Sequence, residues 1–152
     1  MLAVGLGAAA ALVCTELGAT SAHMARLRDR LLGRLLAGLP PGAAAVHGPS
    51  DPGARLPNTL SIGIRGLRAS EMLAELGDRL AASAGSACHS GGQSMSPVLA
   101  AMGVAPDVAA GTLRLSVGRH TTEAEVDGAA ELILRHLARD RKEVEESGSS
   151  VF

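Results

Sequence analysis

The first forty residues constrain the fold more than any other stretch, because apolar side chains recur through them at helical spacing. Leu2, Leu6, Ala9 or Ala10, Val13 and Leu17 form one series, and Met24, Leu27, Leu31, Leu35 and Leu39 form a second. The pattern predicts one long helix or two stacked ones. The second series carries Arg26, Arg28, Asp29, Arg30 and Arg34 between its leucines, which gives that helix a face in water, and Pro40 and Pro41 stop it. The first series has almost no polar face. A helix that is apolar all round is buried on several sides, so the start of the chain is expected to pack on more protein than a free N-terminus supplies. That is a first sign of truncation.

After the prolines, Ala43 to His47 reads as a short strand and Gly48 to Pro57 as a loop rich in Gly, Pro, Ser and Asp. Thr59 to Ile64 alternates as a strand, with Leu60, Ile62 and Ile64 on one face. Ser70 is expected to cap a helix from Glu71 to about Leu80 whose Met72, Leu73, Leu76 and Leu80 face the core. Pro97 opens a short helix through Met102, and Pro106 opens another turn. Thr112 to Val117 is the clearest strand: Leu113, Leu115 and Val117 form its apolar face, and Arg114 projects from the polar one. Thr122 and Glu125 have the spacing of a capping box before a final helix with the stripe Val126, Ala130, Ile133 and Leu137, whose C-terminal end Arg135, Arg139 and Arg141 would suit. From about Asp140 the charges alternate and give way to Gly and Ser, so disorder is expected there.

Composition narrows the function classes. The chain has 152 residues, 47% of them hydrophobic, enough for one domain with a sizeable core. Trp and Tyr are absent and the one Phe is the last residue, Phe152, so no aromatic platform exists for a base or cofactor ring. Fourteen basic and fifteen acidic residues give a formal charge of −1, with no electrostatic case for nucleic acid or an acidic membrane. The apolar run from Leu2 to Cys14 is shorter than the roughly 18 to 20 residues that span a bilayer, and no basic flank precedes it as in a secretory signal. Two distant cysteines, Cys14 and Cys88, make neither a disulfide framework nor a metal motif, which suits a reducing compartment such as the cytosol.

Cys88 lies in Ala-Gly-Ser-Ala-Cys-His-Ser-Gly-Gly-Gln-Ser-Met-Ser, from Ala84 to Ser96. So many small residues predict an irregular loop near solvent, where a thiol can be reached, with His89 beside it. A surface cysteine with an incidental neighbour has the same spacing. Arg114 has the planar fork that suits a carboxylate, and equally suits a surface salt bridge. A mobile thiol beside a carboxylate clamp would serve an amino-acid substrate whose side-chain atom passes to the cysteine.

Leu56-Pro57-Asn58-Thr59, the segment Ser83 to Ser90 around Ala87-Cys88-His89-Ser90, Ser96-Pro97-Val98-Leu99 and Leu113-Arg114-Leu115-Ser116-Val117-Gly118-Arg119 before Thr121-Thr122 resemble, in that order, the C-terminal part of cysteine desulfurase-type enzymes. Cys-His-Ser, with the Ser61 to Gly66 stretch ending Ile64-Arg65-Gly66, resembles the selenocysteine lyase branch. The resemblance runs to about Ala138. It implies a small α/β domain of α+β type from the aspartate-aminotransferase-like fold of pyridoxal-phosphate enzymes, with a short, mostly antiparallel sheet packed on helices and a long N-terminal helix. Residues 1–40 would then be a linking helix or helix pair against a larger domain, 41–139 the small domain, and 140–152 a disordered tail.

The implied reaction takes selenocysteine to alanine, with Cys88 as chalcogen acceptor and Arg114 on the substrate α-carboxylate. His89, Asn58 and His120 are candidate pocket residues, and no metal site is expected. The resemblance also implies pyridoxal phosphate and a homodimer for the full-length enzyme. This chain departs from the pattern, since its one lysine, Lys142, lies beyond the matched region. Alone it is expected to bind no cofactor and to be inactive. The other readings are a cysteine desulfurase fragment, or a non-enzymatic module that pairs with a full-length subunit or carries a chalcogen on Cys88.

Overall fold

A computed structural model describes residues 2–85 and 95–148, with the side chains of 143–148 left out. The first apolar series and the second join in a single helix, α1, Leu2–Gly38. It is followed by β1 (Ala44–Val46), a 3-10 turn (Pro52–Ala54), β2 (Thr59–Ile64), α2 (Ala69–Leu76), β3 (Ser83–Ala84), α3 (Pro97–Ala101), α4 (Pro106–Ala110), β4 (Thr112–Ser116) and α5 (Glu123–Gly148). The strands form one sheet in the order β1-β2-β4-β3, with every pairing antiparallel. β2 and β4 are its centre, paired from Thr59 opposite Ser116 to Gly63 opposite Thr112.

Alternation along the two central strands gives the sheet two different faces. Leu60, Ile62, Ile64, Leu113 and Leu115 point to one side, where Leu27, Leu31 and Leu35 of α1, Met72 of α2, and Val126, Ala130, Ile133 and Leu137 of α5 join them in one core. The helices hold together by more than this stripe. Arg30 of α1 bonds both carboxylate oxygens of Asp127 at 2.9 and 2.7 Å and meets Glu123 at 2.9 Å. Thr122 and Glu125 close the expected capping box: the Glu125 carboxylate accepts from the Thr122 backbone N–H at 2.8 Å, and the Thr122 hydroxyl accepts from the Glu125 N–H at 3.3 Å. The Thr122 N–H, and the Thr122 hydroxyl at 2.9 Å, both donate to the Glu125 carboxylate and hold it below its usual range.

Among the described residues, the opposite face is covered at one end only. Val108 of α4 lies over Gly63, where a Cβ would come within 2.4 Å of Val108 Cγ1 and 2.8 Å of His47 Nε2. The Thr112 hydroxyl donates to the Val108 carbonyl at 3.0 Å, and His47 Nε2 lies 3.1 Å from the same hydroxyl. Because the hydroxyl proton is committed to the carbonyl, Nε2 is the donor to it. Burial also lowers the His47 pKa from its usual value. Beyond this cover, among the described residues, Ser61 is half-buried and Arg114 and Ser116 are exposed.

Several expectations change. α2 begins at Ala69 with Arg68 in the cap position and no side-chain cap bond, so Ser70 is inside the helix, which stops at Leu76. Leu80 still reaches the core, from a loop. β1 and β4 are shorter than the strands expected over Ala43 to His47 and Thr112 to Val117, and Ala84, read from the sequence as the first residue of an irregular loop, joins Ser83 in an edge strand on β4. The disordered tail expected from residue 140 is helical to Gly148, because Arg, Lys and Glu are good helix formers that extend a helix already nucleated. Arg135 and Arg139 are therefore mid-helix and pair with Glu131 (2.6 Å) and Glu75.

The first half of α1 is not buried. Residues 2–15 are exposed throughout, and Leu2 and Val4 are 93% and 76% exposed. Cys14 is exposed with them. Since the helix is continuous, α1 is also long and apolar enough to cross a membrane by length and composition, which the short run from Leu2 to Cys14 did not suggest.

Candidate functional site

The open part of the polar face is built on Arg114. Its register places Ser61 of β2 directly opposite on one side and Ser83 of β3 on the other, so small hydroxyl side chains flank the guanidinium from both neighbouring strands. Arg114 is exposed and donates from Nη2 to Ser83 Oγ at 3.3 Å. Among the described residues no carboxylate pairs with it. Arg65, by contrast, meets Asp107, Arg68 meets Glu71 at 3.1 Å and Arg119 meets Glu16 at 2.9 Å. An arginine standing uncompensated on a polar sheet face can take a planar anion through two parallel N–H donors.

In the sequence, β3 comes just before the cysteine segment, and the described chain ends there at Gly85. Gly85 N–H donates to the Thr112 carbonyl at 2.8 Å, and a Cβ at Gly85 would lie 3.0 Å from Leu99 Cδ1 and from Thr112 Cβ. That close approach fixes the root of the segment beside β4. Cys88 and His89 themselves lie outside the described residues.

Asn58 and His120 do not join Arg114. Asn58 sits at the entrance to β2, where its carbonyl accepts from the Val117 N–H at 2.9 Å and its side-chain oxygen accepts from the Thr59 hydroxyl at 3.3 Å. The chain before it is held by Arg28, a buried arginine of α1 that donates to the Leu56 carbonyl at 3.1 Å and bonds Asp29 at 2.8 Å. His120 lines a groove of about 720 Å³ with Leu80, Leu115, Val117, Val126 and Arg79, on the helical side of the sheet. The turn that carries it is tied to α1 twice, by Arg119 with Glu16 and by His23 Nε2, 3.0 Å from the Thr121 carbonyl.

Sequence reasoning missed Ser83 as part of the site. Nothing in its composition separates it from the other serines nearby; only the pairing with Arg114 does. Among the described residues no group of three His, Cys, Asp or Glu side chains is placed to hold a metal.

The profile of the aminotransferase class-V family matches residues 1–128. The chain belongs to this family. It is 50% identical over 128 residues to a selenocysteine lyase of Homo sapiens, covering 81% of this chain and 28% of that protein. It is 40% identical over 137 residues to a cysteine desulfurase of Frankia sp., covering 90% and 32%. A solved NifS-like protein superposes with a TM-score of 0.65 at 30% identity over 84% of this chain and 30% of that one. A second, from Rickettsia africae, has a TM-score of 0.69 at 23% identity, over 89% and 33%, and supports the fold. The chain thus spans about a third of the length of the relatives it matches.

Full-length members of this class-V family use pyridoxal phosphate, and the residues present here do not fit that group. Lys142 is exposed on α5, the helix packed against the apolar side of the sheet, away from the face that carries Arg114. No aromatic side chain lies among the described residues to stack on a ring.

Proposed function

We propose that this chain is the substrate-facing small domain of a selenocysteine lyase, in which Arg114 binds the α-carboxylate of the amino acid and Cys88 accepts the chalcogen. The observation that carries the reading is Arg114, exposed on the polar sheet face with no carboxylate partner among the described residues, beside Ser83, five residues before Cys88 in the sequence. The 50% identity to a selenocysteine lyase, against 40% for a cysteine desulfurase, favours selenium over sulfur as the atom transferred. In the net reaction the Cβ–Se bond of selenocysteine breaks and an S–Se bond forms at the Cys88 thiol. The thiol hydrogen is balanced by the third hydrogen on the new methyl group, so the products are alanine and a Cys88 selenosulfide.

Pyridoxal phosphate supplies the electron sink for that chemistry in the whole enzyme. In this proposal it is held by protein outside these 152 residues, and the exposed apolar half of α1 is the surface that packs on that protein. The chain alone is then inactive, and the whole enzyme is a cytosolic homodimer. A test replaces the matching stretch of the human relative with this chain. The chimera should release alanine from selenocysteine faster than from cysteine, and Cys88→Ala and Arg114→Ala should each abolish release. A folded, cofactor-loaded chimera whose alanine release survives Arg114→Ala would refute the assignment.

A further inference from the structure

We propose that Ser83 is the positioning residue for Arg114, fixing the guanidinium plane through its hydroxyl without neutralising the charge. This rests on the reading of Arg114 as the carboxylate anchor. An exposed arginine on a strand has several rotatable bonds and sweeps a wide volume, so an anchor needs something to hold it. Several other arginines among the described residues are held by carboxylates: Arg30 with Asp127, Arg119 with Glu16, Arg135 with Glu131. Such a partner occupies the fork and cancels the charge that an incoming carboxylate needs. At Arg114 the bond goes instead to a neutral hydroxyl, from one Nη2–H at 3.3 Å. Among the described residues no carboxylate meets its remaining donors, so the positive charge is not cancelled there.

The backbone is arranged for this contact. β3 is two residues long, and one of the two is opposite Arg114. Directly opposed side chains on an antiparallel pair lie about 4.5–5.5 Å apart at Cβ, so a serine there meets the arginine stem closely, and Ser61 leaves room on the other strand. Gly85 is bonded to Thr112 beyond it, which prevents β3 from slipping along β4. The strand that aims Arg114 is thereby also the root of the Cys88 segment.

The test uses the 152-residue chain labelled with nitrogen-15 and reads the Nε–Hε order parameter of Arg114, with Arg30 as internal reference. Ser83→Thr and Ser83→Val are compared because both are β-branched and suit a strand, and they differ by a hydroxyl against a methyl. The Thr form should keep Arg114 near the rigid value of the wild type, and Ser83→Val and Ser83→Ala should lower it below about 0.6, while Arg30 does not change. Equal Arg114 order in the Thr and Val forms would overturn the proposal. In the wild type, alanine but not alaninamide should shift the Arg114 Nε–Hε resonance. A Ser83-dependent order parameter with no response to alanine would support the positioning contact and refute the anchor reading, so the two failures are distinct.

Discussion

Gly111 joins α4 to β4 at a point where there is no space for a side chain. A Cβ built there would stand 1.9 Å from the Ile64 carbonyl oxygen and 2.9 Å from the Leu67 carbonyl oxygen, both of them backbone atoms that no rotamer change can move. Carbon and oxygen in close contact lie about 3.3 Å apart, so Gly111→Ala forces a displacement of more than about 1 Å between β2 and the α4–β4 junction. That junction also holds a hydrogen bond, Ile64 N–H to the Gly111 carbonyl at 3.1 Å, with Ile64 fully buried. Overpacking costs about 1–3 kcal/mol. Leaving a buried N–H unsatisfied adds about 1–3 kcal/mol. The expected loss is therefore about 4 kcal/mol, a large part of the stability of an ordinary domain.

Urea unfolding followed by far-ultraviolet circular dichroism reads this directly. With a slope of about 2 kcal/mol per molar urea, the midpoint should fall by about 2 M at unchanged slope. Gly33→Ala is the control of opposite sign, since Gly33 is exposed within α1 with nothing within 4 Å of its added Cβ. It should raise stability by about 0.5–1 kcal/mol. A Gly111→Ala midpoint within 0.3 M of the wild type, given as an order-of-magnitude threshold of about half a kcal/mol, would refute the close approach of β2 to this turn.

Two further outcomes concern the helices. Leu35→Ala removes a fully buried side chain from α1 and should cost about 2–5 kcal/mol, whereas Leu6→Ser, at a 74% exposed position on the same helix, should stay within about 0.5 kcal/mol; equal losses by urea melt would place the first half of α1 in the core. Asp127 has its carboxyl held below the usual range by its bonds to Arg30, so its contribution is full above the unfolded pKa and is lost as pH falls through the lower folded value. Asp127→Asn should accordingly be less stable at pH 7 and converge with the wild type at strongly acid pH; a gap that persists there in acid unfolding would assign the loss to packing.

The sequence carried the central strands and the last helix because each has a single strong period. Leu60, Ile62 and Ile64 alternate as a strand must, and Val126, Ala130, Ile133 and Leu137 repeat as a buried helical stripe must, with Thr122 and Glu125 marking its start. β3 could not be read this way. Two residues have no period, and Ser83–Ala84 is a strand only because Arg114 and Leu113 lie beside it to pair with. α2 misled for a related reason: Ser70 has the chemistry of a cap, but the helix starts two residues earlier than Glu71, at Ala69, which is fully buried. For the site, Arg114 was legible from alternation, since its neighbours Leu113 and Leu115 had to face the core. Its separation from His120 was not, because the turn after β4 carries His120 toward the helical side.

The two contacts between α1 and the turn after β4 give that helix a mechanical role. Glu16 and His23 lie two helical turns apart on one side of α1, and they grip Arg119 and the Thr121 carbonyl. The turn between them and the sheet is short and is itself braced by the Gly118 N–H donating to the Thr121 hydroxyl at 2.9 Å. Any force that rolls α1 about its axis therefore pulls on both grips at once and is delivered to the end of the strand that carries Arg114. The exposed half of α1 is the handle of that lever, and the guanidinium sits near its working end.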